Sequence, residues 1–235
     1  MIGNVNSIQT LGTLDGPGVR YVVFLQGCPL RCGCCHNPDT WDFGNKKEYT
    51  EEQIVDNVLK YKEYFGTQGG ITISGGEPLV QAEFVKQVFS LCKKNGINTC
   101  LDTSGVILNQ AVKDALEFTD RVLLDIKYTV PEYYEKYVGC KMQSVIEFLE
   151  YLNSTNIKTT IRQVIIPTLN DSESDVLELK NLAKKYACVD KIELLPFKKI
   201  CKTKYENMGL EFKFDAFSTP NKAKMDKLNA IINNQ

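Results

Sequence analysis

The sequence predicts an α/β fold: a single domain in which about six parallel βα units wind into a partial TIM-type barrel. Three observations carry this expectation. Short β-branched and aromatic runs alternate with longer stretches of helical periodicity, as they do where helices cover a parallel sheet. The residues with unusual chemistry fall just after the strand-like runs, where the carboxyl ends of parallel strands collect functional loops. Finally, 235 residues with 43% hydrophobic and 24% charged content suit one well-filled core.

Residues 21–26 (Tyr-Val-Val-Phe-Leu-Gln) read as the first buried strand, which runs into a loop at 27–41 holding four cysteines. Thr50 is placed to cap a helix with Gln53 three residues on, and Ile54, Val55, Val58 and Leu59 recur at helical spacing. A strand over 71–74 ends in Gly75-Gly76-Glu77-Pro78. Phe84, Val85, Val88, Phe89 and Cys92 mark the helix that follows, and Gly96 closes it. The alternation repeats with strands over 97–101, 121–125, 159–166 and 191–195, separated by helical stretches such as 176–186. Residues 197–219 read as irregular. Thr219 then caps, and Pro220 opens, a last helix bearing Met225, Leu228, Ile231 and Ile232, so that residues 197–235 pack on the barrel.

Charge excludes some partners. Lys plus Arg (28) nearly balances Asp plus Glu (29), and the basic residues are spread, so no field for a nucleic-acid backbone or an anionic membrane is expected. Residues 1–12 have neither a basic nor an apolar leader region, and no apolar run approaches membrane-spanning length, which places the expectation in the cytoplasm. Nine cysteines, four of them between Cys28 and Cys35, fit a disulfide framework poorly and a metal site better.

Soft thiolates in Cys28-Pro29-Leu30-Arg31-Cys32-Gly33-Cys34-Cys35 select zinc, copper(I) or an iron-sulfur cluster. No second Cys-x2-Cys or His pair supplies the other half of a structural zinc site. Three cysteines at Cys-x3-Cys-x2-Cys leave one iron of a 4Fe-4S cubane without a protein ligand, an opening that reactive metal sites need. Cys34, adjacent to Cys35, cannot easily aim at the same cubane. Cys92, Cys100, Cys140, Cys188 and Cys201 stand singly and read as small buried hydrophobes.

Other residues have two readings each. Gly75-Gly76-Glu77 is a plain turn or a ligand cradle. Asp102-Thr103 and Asp125-Ile126-Lys127 bring hard oxygens after two consecutive strands, to hold a cation or to cap helices. Arg162, within an apolar strand, must face a charged partner or solvent. Asp15-Gly16-Pro17-Gly18 reads as a turn feeding the first strand.

Cys-x3-Cys-x2-Cys after the first strand, together with Gly-Gly-Glu-Pro after the second, resembles the radical S-adenosylmethionine enzymes. Three longer stretches, 12–20 (Gly-Thr-Leu-Asp-Gly-Pro-Gly-Val-Arg), 35–42 (Cys-His-Asn-Pro-Asp-Thr-Trp-Asp) and 193–197 (Glu-Leu-Leu-Pro-Phe), resemble the pyruvate formate-lyase activating family almost end to end. The resemblance implies a 4Fe-4S cluster on Cys28, Cys32 and Cys35 whose open iron is chelated by S-adenosylmethionine. Reductive cleavage of that cofactor then gives a 5'-deoxyadenosyl radical, which takes a Cα hydrogen from a glycine of pyruvate formate-lyase. Flavodoxin or ferredoxin is the implied electron donor.

It further implies that Gly75, Gly76 and Glu77 receive the cofactor's ammonium, that Asp102, Thr103 and Asp125 bind a monovalent cation, and that Ile126 and Lys127 meet the cofactor. Arg162 is implied to face the cofactor carboxylate. Cys34 stands where the family commonly has an aromatic residue against adenine. His36, the only histidine, takes that contact or hydrogen-bonds to backbone, and Lys198 stands where a ribose-binding histidine is usual. Residues 15–20 are implied to admit the partner's glycine loop. The short run from Trp41 to the next helix leaves no place for the ferredoxin-like insert of other activators. An activator of another glycyl radical protein or a small-molecule radical enzyme stays open as an alternative. So does an iron-sulfur or zinc-binding module, which would consume no S-adenosylmethionine.

Overall fold

The computed structural model describes residues 1–44 and 47–233. Its strands are β1 (Ile2–Gly12), β2 (Arg20–Leu25), β3 (Lys47–Thr50), β4 (Gly70–Gly75), β5 (Asn98–Thr103), β6 (Arg121–Asp125), β7 (Lys158–Ile165) and β8 (Val189–Pro196). Their sheet order is β3-β1-β2-β4-β5-β6-β7-β8, which does not close on itself. The six strands foreseen as βα units are β2 and β4 to β8, and β2 to β4, β4 to β5 and β7 to β8 pair in parallel.

Two strands escaped the sequence pattern. Only Gly3, Val5 and Gly12 of β1 are buried, so the strand has no apolar alternation to read; its ladders to β2 and β3, both antiparallel, hold it. The four-residue β3 occupies the run from Trp41 that was expected to lead almost directly into a helix. By contrast, β2 is buried at five of six positions and β4 at five of six, as strands covered on both faces are.

The chain forms two compact units, one of Met1–Pro29 with Thr40–Leu123, the other of Leu30–Asp39 with the chain from Leu124 onward. In the first, α1 (Glu51–Leu59) starts at the expected capping box: Gln53 N donates to Thr50 Oγ1, and Thr50 N donates to Gln53 Oε1. Helix α2 (Ala82–Lys94) buries Phe84, Val85, Val88, Phe89 and Cys92, the residues that mark it in the sequence. Helix α3 (Gln110–Leu116) is capped by Asn109.

Arg20 corrects an expectation in this unit. Placed by resemblance among residues that meet a partner, it is fully buried. Its guanidinium donates to Thr72 Oγ1 (2.9 Å), Asn98 Oδ1 (2.9 Å), Gln68 O (3.1 Å), Pro17 O (3.5 Å) and Ile71 O. Thr72 in turn donates to Asp15 O at 2.6 Å. Arg20 is thus the strut under residues 15–18, while the neighbouring Leu14 is 81% exposed.

The second unit carries the end of β6, β7 and β8 with α4 (Pro131–Tyr137), α5 (Met142–Ser154), α6 (Glu173–Ala183), α7 (Lys202–Asn207) and α8 (Lys222–Asn233). Helix α6 begins at Glu173, three residues before 176, because Ser172 and Asp175 form a capping box. Asn221, not Thr219, caps α8: Lys224 N donates to Asn221 Oδ1 at 2.8 Å, which leaves Pro220 outside the helix. Residues 197–219 contain α7 and are less irregular than expected. Helix α8 packs on α6 and β8, and Lys180 Nζ donates to Ile231 O at 2.7 Å. Among the described residues no helix is long and apolar enough to cross a membrane.

Candidate cluster and cofactor site

In the first unit Cys28 lies three residues beyond the end of β2 and is buried. The base of its loop is closed by Gly27 N donating to Thr40 O (2.9 Å) and Gln26 Nε2 donating to Asp42 O (2.6 Å). The end of β4 presses on this same stretch, since Gly76 N donates to Leu25 O and Glu77 N to Gly27 O. A Cβ on Gly75 would lie 2.2 Å from Leu25 N, and one on Gly76 would lie 2.3 Å from Gly27 O, so only glycine permits the approach.

The Glu77 side chain is held within the protein. It is 1% exposed, and its two oxygens accept from Leu79 N (3.1 Å), Thr103 Oγ1 (2.6 Å), Ser104 N (2.9 Å) and Ser104 Oγ. Burial pushes its pKa up, against the pull of those donors. This carboxylate therefore shapes the Gly75-Gly76 turn and ties it to the end of β5. Asp102 accepts from Ser74 Oγ at 2.7 Å. Thr103 Oγ1 both donates to Glu77 and accepts from Gly105 N (3.0 Å), so its hydroxyl is engaged within the turn.

In the second unit the cysteine-bearing residues 30–39 hang on an aromatic wall. Gly33 N donates to Tyr137 O (2.9 Å) and Arg31 N to Val138 O (3.3 Å), at the end of α4. Tyr205 Oη donates to Cys35 O (3.2 Å) from α7. Lys204 Nζ reaches Asn37 Oδ1 (3.0 Å) and Asp39 Oδ1 (2.9 Å). Rings continue the wall: Tyr128 to Tyr137 at 5.8 Å, Tyr137 to Phe214 at 5.5 Å and Tyr205 to Phe212 at 4.8 Å between centroids. Sequence reasoning missed Tyr137, Lys204, Tyr205 and Phe214. The scattered aromatics over 197–219 were the available signal, but they have no period to interpret.

His36 and Lys198 meet here. His36 Nε2 bonds the Lys198 carbonyl at 2.9 Å, while the Lys198 side chain is exposed. Burial lowers the His36 pKa, so the ring is neutral and donates from Nε2. Burial also pushes the Cys34 thiol up to about 11.

The stretch after β6 is held at each backbone group. Ile126 N donates to Arg162 O (2.9 Å), Gln163 Nε2 to Ile126 O (3.2 Å), Lys127 N to Tyr134 Oη (2.9 Å) and Asn170 Nδ2 to Lys127 O (3.5 Å). Burial disfavours the Lys127 charge, but the Asp125 carboxylate, which accepts from Nζ, and the thiols of Cys32 and Cys34 outweigh it and hold the pKa well above the ordinary value. On β7, Arg162 stands opposite Glu193 in register, with Nε 3.8 Å from Oε2. Tyr134 is 1% exposed, and Tyr134→Phe leaves the Lys127 N–H without its acceptor. The expected cost is about 1–3 kcal/mol in urea unfolding.

All nine cysteines are unbridged. Among the described residues no three His, Cys, Asp or Glu side chains gather around a single ion position. Three thiols that each bind a different iron of a cubane do not need to, so the donor set of Cys28, Cys32 and Cys35 fits that group.

A family model described as the Radical SAM superfamily matches residues 22–179. The chain is 40% identical over 235 residues to the pyruvate formate-lyase 1-activating enzyme of Escherichia coli K12, covering 99% of this chain and 96% of that one. It is 41% identical over 233 residues to the pyruvate formate-lyase-activating enzyme of Clostridium pasteurianum, covering 99% and 98%. The chain belongs to the pyruvate formate-lyase-activating family of radical SAM enzymes. A 4Fe-4S cluster and S-adenosylmethionine are the cofactors of this superfamily. Among solved structures, Streptococcus suis SuiB bound to precursor peptide SuiA matches with a TM-score of 0.70 at 16% identity, covering 90% of this radical SAM chain and 44% of the longer one. That likeness concerns the fold.

Proposed function

We propose that this radical SAM enzyme activates pyruvate formate-lyase by removing a Cα hydrogen from one glycine of that protein, leaving a glycyl radical. The observation that carries the proposal is identity of 40% and 41%, over 99% of the chain, to enzymes named for that activation. Bound at Cys28, Cys32 and Cys35, the reduced cluster together with S-adenosylmethionine supplies the radical chemistry.

The chain's own residues bind and orient. Lys127, kept protonated beside Asp125, and Arg162 offer cations to the cofactor carboxylate, and the pinned backbone of Ile126 fixes where Lys127 begins. Gly75 and Gly76 admit close approach, and Glu77 holds their turn from behind. Asp102, Thr103 and Asp125 are the residues for a monovalent cation. Cys34, His36 and Lys198 line the adenosine side. Residues 15–18, carried by Arg20, receive the glycine loop, and a cytoplasmic flavodoxin or ferredoxin gives the electron.

The test is anaerobic electron paramagnetic resonance of pyruvate formate-lyase mixed with the reconstituted, reduced enzyme and S-adenosylmethionine. A glycyl doublet is the expected result. Cofactor cleavage without a doublet would assign the enzyme to a different radical substrate.

A further inference from the structure

Tyr128 leaves a polar group unaccounted for beside the cysteine loop. The residue is 2% exposed, and among the described residues its hydroxyl has no hydrogen-bond partner. Buried hydroxyls are nearly always satisfied, so an orphan in a functional region points to a missing acceptor or donor. The ring's surroundings define the place. It packs edge-on against Tyr133 (5.7 Å) and Tyr134 (6.3 Å) and tilted against Tyr137 (5.8 Å). The carbonyl of Tyr137 accepts from Gly33 N, between Cys32 and Cys34, so Tyr128 belongs to the wall on which this loop hangs. It also directly follows Lys127, whose backbone is bonded at both its N–H and its carbonyl, so Tyr128 starts from a fixed point. After burial itself, the thiols of Cys34 and Cys32 act most strongly on its hydroxyl.

We propose that the Tyr128 hydroxyl donates a hydrogen bond to a sulfur of the bound iron-sulfur cluster, either an inorganic sulfide or the Cys32 thiolate. Cluster sulfurs gain negative charge on reduction, and a hydrogen bond to them stabilises the reduced state and raises the potential. Tyrosine suits the position because its ring fills the aromatic wall and only the O–H remains to donate. Tyr128 is in this reading a positioning and tuning residue, and the inference rests on the cluster being held by Cys28, Cys32 and Cys35.

The test is a redox titration of the reconstituted protein followed by electron paramagnetic resonance, comparing wild type, Tyr128→Phe and Tyr133→Phe. Tyr128→Phe keeps the ring and removes the donor. Its potential is expected to become more negative, by about 59 mV for each tenfold loss of preference for the reduced state, while Tyr133→Phe stays at the wild-type value. An unmoved potential in Tyr128→Phe would overturn the hydrogen bond and leave the hydroxyl to a buried water. A wild-type protein that takes up no iron and sulfide would instead overturn the cluster reading beneath it. Should Tyr128→Phe fail to load, pulsed resonance of protein carrying 3-fluorotyrosine at position 128 alone decides: fluorine coupling to the reduced cluster supports the contact, and its absence overturns it.

Discussion

Alanine at Cys28, Cys32 or Cys35 is expected to abolish the cluster and reduce cleavage of S-adenosylmethionine to background, while Cys34→Ala keeps the cluster. The asymmetry follows from how the loop is hung. Gly33 N is tied to Tyr137 and the Cys35 carbonyl to Tyr205, so the backbone on both sides of Cys34 is fixed from one side. Residues 32–35 close a turn, with Cys35 N donating to Cys32 O at 3.1 Å, and a turn fixed at Gly33 and at Cys35 cannot swing Cys34 into the place of Cys35. Losing a thiolate ligand opens a second iron of the cubane, whereas losing a neighbouring thiol perturbs only its surroundings, an effect of about 10–100-fold at most. Iron and sulfide content, visible absorbance and 5'-deoxyadenosine yield separate the two cases. A Cys34→Ala protein without iron would reassign the ligands.

Arg20→Met is expected to cost at least about 3 kcal/mol of stability, read as a lowered midpoint in urea unfolding. The guanidinium donates to Thr72, Asn98, Gln68, Pro17 and Ile71 from a fully buried position, and methionine fills the space while leaving those acceptors unpaired. Against a total stability of about 5–15 kcal/mol, this is a large share. The loop over 15–18 loses its strut in the same step, so activation of the protein substrate should fall more than cleavage of S-adenosylmethionine without that substrate. Equal losses in the two assays would remove the link between Arg20 and the glycine loop. Arg20→Lys is no rescue, because an ammonium cannot reproduce the guanidinium fork.

The six parallel strands, the capping box at Thr50 and the cysteine spacing were legible because each is a local pattern: β-branched runs, a Thr and Gln three apart, thiols within eight residues. Local patterns are enforced by neighbouring residues in the chain, which is the information a sequence displays directly. The placement of Gly75, Asp102 and Asp125 at the carboxyl ends of strands was legible for the same reason, since a strand's end is set by its own residues.

Other features depended on partners far along the chain. Strand β1 exists through its ladders to β2 and β3, and its polar residues give no period of their own. Glu77 reads as a free carboxylate until Thr103 and Ser104 arrive from the next strand to occupy it. Arg20 belongs, by resemblance, to the segment that admits a partner until Gln68, Thr72 and Asn98 close around it. Likewise His36 acquires its partner 162 residues away, and the wall of Tyr128, Tyr137, Tyr205 and Phe214 is assembled from separate segments. The sequence by itself determined which chemistry this protein carries, the thiols, the glycines and the charges, and the strand ends that hold them. Only the tertiary structure decided which of those groups are engaged within the protein, because burial and hydrogen-bond satisfaction are properties of distant residues brought together and not of any one stretch of chain.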